Sequence, residues 1–258
     1  MSKFQKGVIT LSIDDGRKDA FRLVNEVLNV YNIPATFNII SGYIDVDCVG
    51  NKSTMTLDEL KEISKNPLVE IAAHGYLHKN DEEDIIKGKD KLYEWLGLKD
   101  DTIGFASPGS GMDKDYICEN QERLQNLGFS YIRTGFVKEG RNVEEVLAYS
   151  DTADVNGIDE LYYQFSNMCI NSVPILCKTT AKSMKKMVDL AAREKACLTL
   201  MFHSVRKKGE YDPEDLWTYD YDKFVEFIKY LSQKRDNGEI EILTTKDAFI
   251  KGKEAASL

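Results

Sequence analysis

The chain has 258 residues, 42% apolar and 30% charged, with 34 Lys+Arg against 43 Asp+Glu and a net charge of −9. The apolar share is enough to build a core and excludes a disordered chain, and the acidic balance argues against a nucleic-acid binder, which needs a basic footprint. No apolar run reaches the ~18 residues of a membrane span. The opening stretch MSKFQKGVITLSIDDG lacks the successive basic, apolar and small-residue regions of a signal peptide, so the expectation is a cytoplasmic protein, or an extracytoplasmic one if the chain has been trimmed. Five cysteines, Cys48, Cys118, Cys169, Cys177 and Cys197, are odd in number, widely spaced and without a CxxC pair, which reads as free thiols in a reducing compartment.

Strands and helices alternate along the chain. Gly7 to Ile13 is a β-branched apolar run and is predicted as a strand. Phe21, Val24, Leu28 and Tyr31 recur at helical spacing within Asp19 to Tyr31, and Ile33-Pro34 breaks that helix. Ala35 to Ile40 is the second strand. Thr56 with Glu59 three residues on is a capping-box signature for a helix over Leu57 to Ser64. Val69 to Ala73 is the third strand and Asp81 to Leu96 a helix closed by Gly97. Ile103 to Ser107 is the fourth strand, followed by one helix from about Asp113 to Leu127, and Phe129 to Thr134 is the fifth. Between about 138 and 180 the pattern weakens: Glu144 to Leu147 suits one helical turn, and Leu161 to Ile175 one or two strands. It then returns with a helix over Ala181 to Glu194, a strand over Cys197 to Phe202, a helix over Tyr221 to Lys234, a strand over Glu239 to Leu243 and a short helix over Lys246 to Lys251.

No linker, low-complexity tract or repeat divides the chain, so the expectation is one domain over residues 1–258. Strands mostly followed by helices argue for parallel pairing, because parallel neighbours need a crossover, and seven or eight of them in this length suit a closed (β/α) barrel, with an open doubly wound sheet as the alternative. A dinucleotide-type GxGxxG is missing after the first strand, where Asp14-Asp15-Gly16 stands instead.

Chemistry in such a barrel sits at the carboxyl ends of the strands. There this sequence places Asp14-Asp15-Gly16, then His74-Gly75-Tyr76-Leu77-His78, Pro108-Gly109, Arg133 and His203. All three histidines of the chain fall on that rim. His74 and His78 have a metal-pair spacing, bringing two imidazoles to one side if the segment turns helical. Two neutral imidazoles and one carboxylate leave positions open for water, as in catalytic zinc sites; iron on two histidines and a carboxylate is the competing assignment. Adjacent Asp14 and Asp15 point opposite ways in an extended strand, which favours separate jobs for them. Trp217, with Tyr219 and Tyr221, is a candidate either to stack on a sugar or to close the core; Trp95, Met184, Met187 and Leu190 read as core.

These residues resemble the motifs of the polysaccharide deacetylase family, carbohydrate esterase family 4. Leu11 to Gly16 is similar to its TFDDG motif, His74 to His78 to HSxxH, Gly104 to Gly111 to the third motif of a bacterial subgroup, Tyr131 to Thr134 to that subgroup's YxRT, and Phe202-His203-Ser204 to its last histidine motif. The resemblance implies a distorted barrel of seven or eight strands and a divalent metal, zinc or cobalt, on Asp15, His74 and His78. It further implies Asp14 as general base, His203 as general acid and the Gly109 N–H as an oxyanion donor, acting on an N-acetylated carbohydrate. Three departures stand out. Ala106 occupies the place of the family's third-motif Arg, for which Arg133 and Arg17 are the candidate substitutes. No Asp-Trp fourth motif is evident between Ala153 and Asn171. Gly75 replaces the hydroxyl residue of the second motif. The alternatives are a hydrolase of a non-sugar amide or cyclic imide/ureide on the same scaffold, and an inactive carbohydrate-binding relative.

Overall fold

The computed structural model describes residues 4–45, 53–135 and 167–256. Seven parallel strands close into a barrel in chain order: β1 (Gly7–Ile13), β2 (Ala35–Ile39), β3 (Val69–Ala73), β4 (Ile103–Ala106), β5 (Phe129–Gly135), β6 (Cys169–Pro174) and β7 (Cys197–Phe202). Closure comes from β1 lying beside β7, with Val8 opposite Cys197 and Ile13 opposite Phe202. Two short strands, β8 (Ser204–Arg206) and β9 (Thr218–Asp220), pair with each other immediately after β7. The last strand, β10 (Ile240–Leu243), pairs with Gly7 to Thr10 of β1, whereas Ser12 and Ile13 pair with β2. One edge of β1 is thus divided between two neighbours, and β10 is wedged into the amino-terminal end of the barrel. Seven strands form the ring and the wedge makes an eighth in the same sheet.

Alternation along the strands explains the closed form. In β1, Ile9, Leu11 and Ile13 alternate with Thr10, Ser12 and, just past the strand, Asp14; in β2, Phe37 and Ile39 alternate with Thr36 and Asn38. Successive side chains take opposite faces, so one set packs under the helices while the other fills the barrel with polar groups that bond across it. Thr10 Oγ1 donates to Thr199 Oγ1 at 2.7 Å, Asn38 Nδ2 to Ser12 Oγ at 2.7 Å, and Tyr131 Oη to Glu70 Oε1 at 2.7 Å. Buried polar atoms need such partners, since leaving one unpaired costs about 1–3 kcal/mol. Tyr131 fits inside only because β4 offers Gly104: a Cβ there would stand 2.2 Å from the Tyr131 ring.

The helices follow the capping signals. Helix α1 is α-helical over Lys18–Leu23, passes through a π segment at Val24–Leu28 and ends α-helical at Asn29–Tyr31. Helix α2 (Leu57–Ile63) starts at the expected capping box: Glu59 N donates to Thr56 Oγ1 at 3.1 Å and Thr56 N to Glu59 Oε2 at 2.8 Å. Helix α3 (Glu82–Leu96) is capped by Asp81 and stopped by Gly97 at φ 59°. The single helix expected over Asp113 to Leu127 is instead two, α4 (Lys114–Glu119) and α5 (Gln121–Asn126). Asn120 separates them, its backbone outside the helical region at φ −109° and ψ 17°, with its Nδ2 donating to Tyr116 O at 2.9 Å beside its own backbone N–H. Helices α6 (Ala181–Glu194) and α7 (Tyr221–Asp236) lie as read. The terminal helix α8 (Thr245–Ala256) is longer than expected, because Thr244 caps it one residue earlier and the Lys, Glu and Ala beyond Lys251 are good helix formers. The outward strand residues pack with Leu23, Val27, Leu60, Phe227 and Leu231 in the core between barrel and helices; Met184, Met187 and Leu190 are buried and Trp95 packs against the same core. Glu144 to Leu147 and the stretch from Leu161 up to residue 166 lie outside the described residues.

Candidate active site

The carboxyl end of β1 delivers two carboxylates. Asp14 continues the ladder, its N–H donating to Phe202 O at 2.8 Å, and the strand then stops: Asp15 and Gly16 both adopt positive φ, 75° and 67°. Aspartate tolerates this region better than most residues. The turn changes the expected geometry. Asp14 and Asp15 do not diverge as neighbours in an extended strand would; both approach His74 Nε2, with Asp14 Oδ2 at 3.9 Å and Asp15 Oδ1 at 3.6 Å.

His74 stands at the end of β3, buried, with Nδ1 2.7 Å from Ala106 O. A carbonyl can only accept, so Nδ1 carries the proton and Nε2 presents its lone pair to the carboxylates. Burial, outweighing the two aspartates, lowers the His74 pKa to about 4 and keeps the ring neutral. His78 is reached by a tight loop and not by the helical turn its spacing suggested, with Gly75 at φ 78° and His78 at φ 63°. The two rings meet edge to face with centroids 4.7 Å apart, and His78 Nε2 lies 3.9 Å from Asp15 Oδ1.

Asp15, His74 and His78 each turn one donor atom into a space where all three lie within 4.8 Å of one another, and they are the one such group of metal-ligating side chains among the described residues. Ligands about 2.1 Å from a tetrahedral ion stand about 3.4 Å apart, close to the separations from Asp15 Oδ1. The other Asp15 oxygen is taken by Arg17, whose Nε and Nη2 donate at 3.0 and 2.6 Å. One carboxylate oxygen and two neutral imidazoles therefore remain, a donor set that suits a divalent cation.

Both arginines singled out in the sequence are engaged, each on a different aspartate. Arg133, on β5, donates Nη2 to Asp14 Oδ2, while its Nη1 lies 2.9 Å from Met201 Sδ. Asn38 Nδ2 donates to the other oxygen, Asp14 Oδ1, at 2.7 Å. Burial alone would raise the pKa of Asp14, but Arg133 and the two nearby histidines hold it below the ordinary carboxylate value. Asp15 is also held below the ordinary carboxylate value, against its burial, by His203, His74 and Arg17.

His203 follows β7 with Nε2 4.0 Å from Asp14 Oδ2, and burial lowers its pKa. Its ring lies 4.5 Å from that of Trp217, which is 40% exposed, and its Nδ1 has no partner among the described residues. Asp19 fixes the backbone just beyond it, accepting from Val205 N at 2.6 Å. Gly109 is exposed in the turn Pro108–Ser110 after β4, at φ 56°. Asn80 ties that turn to the segment after His78, donating to Pro108 O at 2.8 Å and accepting from Ser107 Oγ at 2.9 Å. Asn38, Asn80 and Asp19 were not singled out in the sequence. Only Asn38 carried a signal there, as the polar member of an apolar strand.

A family model described as polysaccharide deacetylase matches residues 2–132, a span holding Asp14, Asp15, His74 and His78. Poly-beta-1,6-N-acetyl-D-glucosamine N-deacetylase of Staphylococcus aureus is 29% identical over 153 residues, covering 55% of this chain and 51% of the relative. The chain thus spans about half the length of the curated relatives it matches. Among solved structures, one assigned as a polysaccharide deacetylase of Mycobacterium smegmatis aligns over 97% of this chain and 92% of its own, with a TM-score of 0.59 at 15% identity. The peptidoglycan N-acetylglucosamine deacetylase Bc1960 aligns over 95% and 89%, with a TM-score of 0.53 at 14% identity. These two likenesses concern the fold, a parallel barrel distorted by its wedge. The matched sequence, which covers the first two acidic and histidine motifs, makes the chain a member of the polysaccharide deacetylase family.

Proposed function

We propose that the barrel mouth hydrolyses the N-acetyl amide of an amino sugar within an oligo- or polysaccharide, with a divalent ion, zinc or cobalt, held by Asp15, His74 and His78. The observation that carries this reading is the convergence of those three donors beside the buried Asp14 and the partly covered His203. Such an ion, when bound, supplies Lewis acidity and makes water a nucleophile near neutral pH.

The chain's own groups then divide the proton work. Asp14 is kept ionised by Arg133 and fixed in direction by Asn38, so it is placed to take the proton of the attacking water as oxygen adds to the amide carbon. The C–N bond breaks with a proton delivered to the amine nitrogen. His203 is the donor: it is held neutral at rest by burial, and its Nε2 lies 4.0 Å from Asp14 Oδ2, where it can receive that proton and pass it on. The Gly109 N–H, on an exposed turn at the same rim, is the candidate to meet the negative charge developing on the carbonyl oxygen. The products are acetate and a free amine. Among the described residues no helix is long and apolar enough to cross a membrane.

Acetate release tests this reading, measured with zinc- or cobalt-loaded protein on β-1,6-linked N-acetylglucosamine oligomers, chitin fragments and peptidoglycan fragments. Release is expected from at least one of them, abolished by Asp15→Ala, and abolished by Asp14→Asn without loss of bound metal. No release by metal-loaded protein on any of the three would overturn it.

A further inference from the structure

Between His74 and His78 the chain folds back around a single carboxylate that belongs to another element. Asp84, in the first turn of α3, is 6% exposed. Its Oδ2 accepts from Tyr76 N at 2.9 Å and Lys79 N at 3.1 Å, and its Oδ1 from Leu77 N at 2.8 Å. Three of the backbone donors that follow His74 are therefore gathered on one acceptor. Charge-assisted bonds of this kind are about twice as strong as neutral ones, and a carboxylate in the first turn of a helix is further favoured by the helix dipole.

The space around that carboxylate is closed from both sides. A Cβ on Gly75 would stand 2.5 Å from Asp84 Oδ2, in a backbone at φ 78°. A Cβ on Gly88, one turn further along α3, would stand 2.4 Å from the carbonyl carbon of Gly75. Helix and loop are pressed together at two glycines, and Asp84 occupies the room that a side chain at position 75 would need. Neither imidazole touches Asp84, yet the conformation it holds is the one that turns both rings toward Asp15.

We propose that Asp84 is the positioning residue of the metal pair: by binding the loop N–H groups it sets the separation of the His74 and His78 nitrogens, and Gly75 is required because the carboxylate fills its side-chain space. This rests on the reading of Asp15, His74 and His78 as metal ligands. It is a claim about geometry before any ion arrives, so it has consequences in protein that has never turned over substrate.

The experiment compares the parent, Asp84→Asn and Gly75→Ala as metal-free chains of residues 1–258. Three things are measured: zinc affinity by competition with a chromophoric chelator, the visible absorption of the cobalt-loaded site, and amide hydrogen exchange at Tyr76, Leu77 and Lys79. Both variants should unfold cooperatively and exchange those amides faster. They should bind zinc about 10–100-fold more weakly, the usual range for losing a group that orients a ligand, and give an altered cobalt spectrum. Parent-like zinc affinity and cobalt spectrum in both variants, even with lowered stability, would overturn the proposal and leave the metal reading intact. A parent chain that binds neither zinc nor cobalt would instead remove the metal reading, and this proposal with it. Should Asp84→Asn fail to fold, Gly75→Ala carries the same comparison by displacing the carboxylate without removing it.

Discussion

Asp14 and Arg133 lie 119 positions apart in the chain, yet their side chains bond inside the barrel, 2% and 1% exposed respectively. A buried cation beside a buried anion gains little over an apolar pair, but removing one partner leaves the other charge stranded at about 3–5 kcal/mol. Arg133→Met should therefore destabilise the metal-free protein by about that amount, read by urea denaturation. The double variant Asp14→Asn/Arg133→Met should lose less than the sum of the two single changes, because the charges are removed together. Additive losses would mean that the pair is not coupled.

The two histidines predict opposite balances of binding and stability. His78 is 40% exposed at its side chain, so His78→Ala should leave unfolding within about 0.5 kcal/mol of the parent while divalent-metal binding measured by calorimetry falls sharply. His74→Ala should lose binding and also lower stability by about 1–3 kcal/mol, since Ala106 O is left without its donor. Both comparisons are made on chelator-stripped protein, so that bound metal adds nothing to the stability differences.

Glu70 predicts a slope of stability with pH. Burial raises its pKa above the ordinary 4.5 in spite of bonds from Lys246 N, Thr36 Oγ1 and Tyr131 Oη. The folded chain thus holds this proton more tightly than the unfolded chain does. The resulting stabilisation is complete below pH 4.5 and is lost as pH rises through the folded-state value. Melting temperatures of the parent minus those of Glu70→Gln should decline across that window and level off above it. A difference that rises with pH would contradict the direction assigned to Glu70.

Gly104 is constrained by space. Gly104→Ala places a methyl 2.2 Å from the Tyr131 ring, and an overfilled interior costs about 1–3 kcal/mol. Unfolding by denaturant should show that loss in the parent background. The loss should shrink markedly when Tyr131→Leu has already emptied the position.

The barrel and its rim were legible because both rest on local chemistry. Apolar runs bounded by caps placed the strands, and counting what followed each one brought Asp14, Asp15, His74, His78, Arg133 and His203 to one end. Features that depend on the meeting of distant segments were hidden. Nothing in EIEIL announces that β10 would share the edge of β1 with β2, and nothing in Thr218 to Asp220 announces a partner in Ser204 to Arg206. The HxxxH spacing pointed to two rings that do meet, but a loop with two positive φ values and not a helix unites them. The stop at Asn120 lies in one residue's backbone leaving the helical region, at φ −109° and ψ 17°, which periodicity does not register.

The divided edge of β1 also bears on time. β1 emerges early in synthesis and β2 soon follows to meet Ser12 and Ile13, but its other partners do not: Thr10 bonds to a threonine 189 residues later, and β10 comes later still. Pairings between such distant segments close slowly, because the entropy of the long loop is lost before the contact forms. A nascent chain that already carries both aspartates therefore has an apolar strand with one flank open, and the other covered only at Ser12 and Ile13, until most of the polypeptide has been made. Folding yield should be most sensitive to changes in β7 and β10, the late segments that seal that first strand.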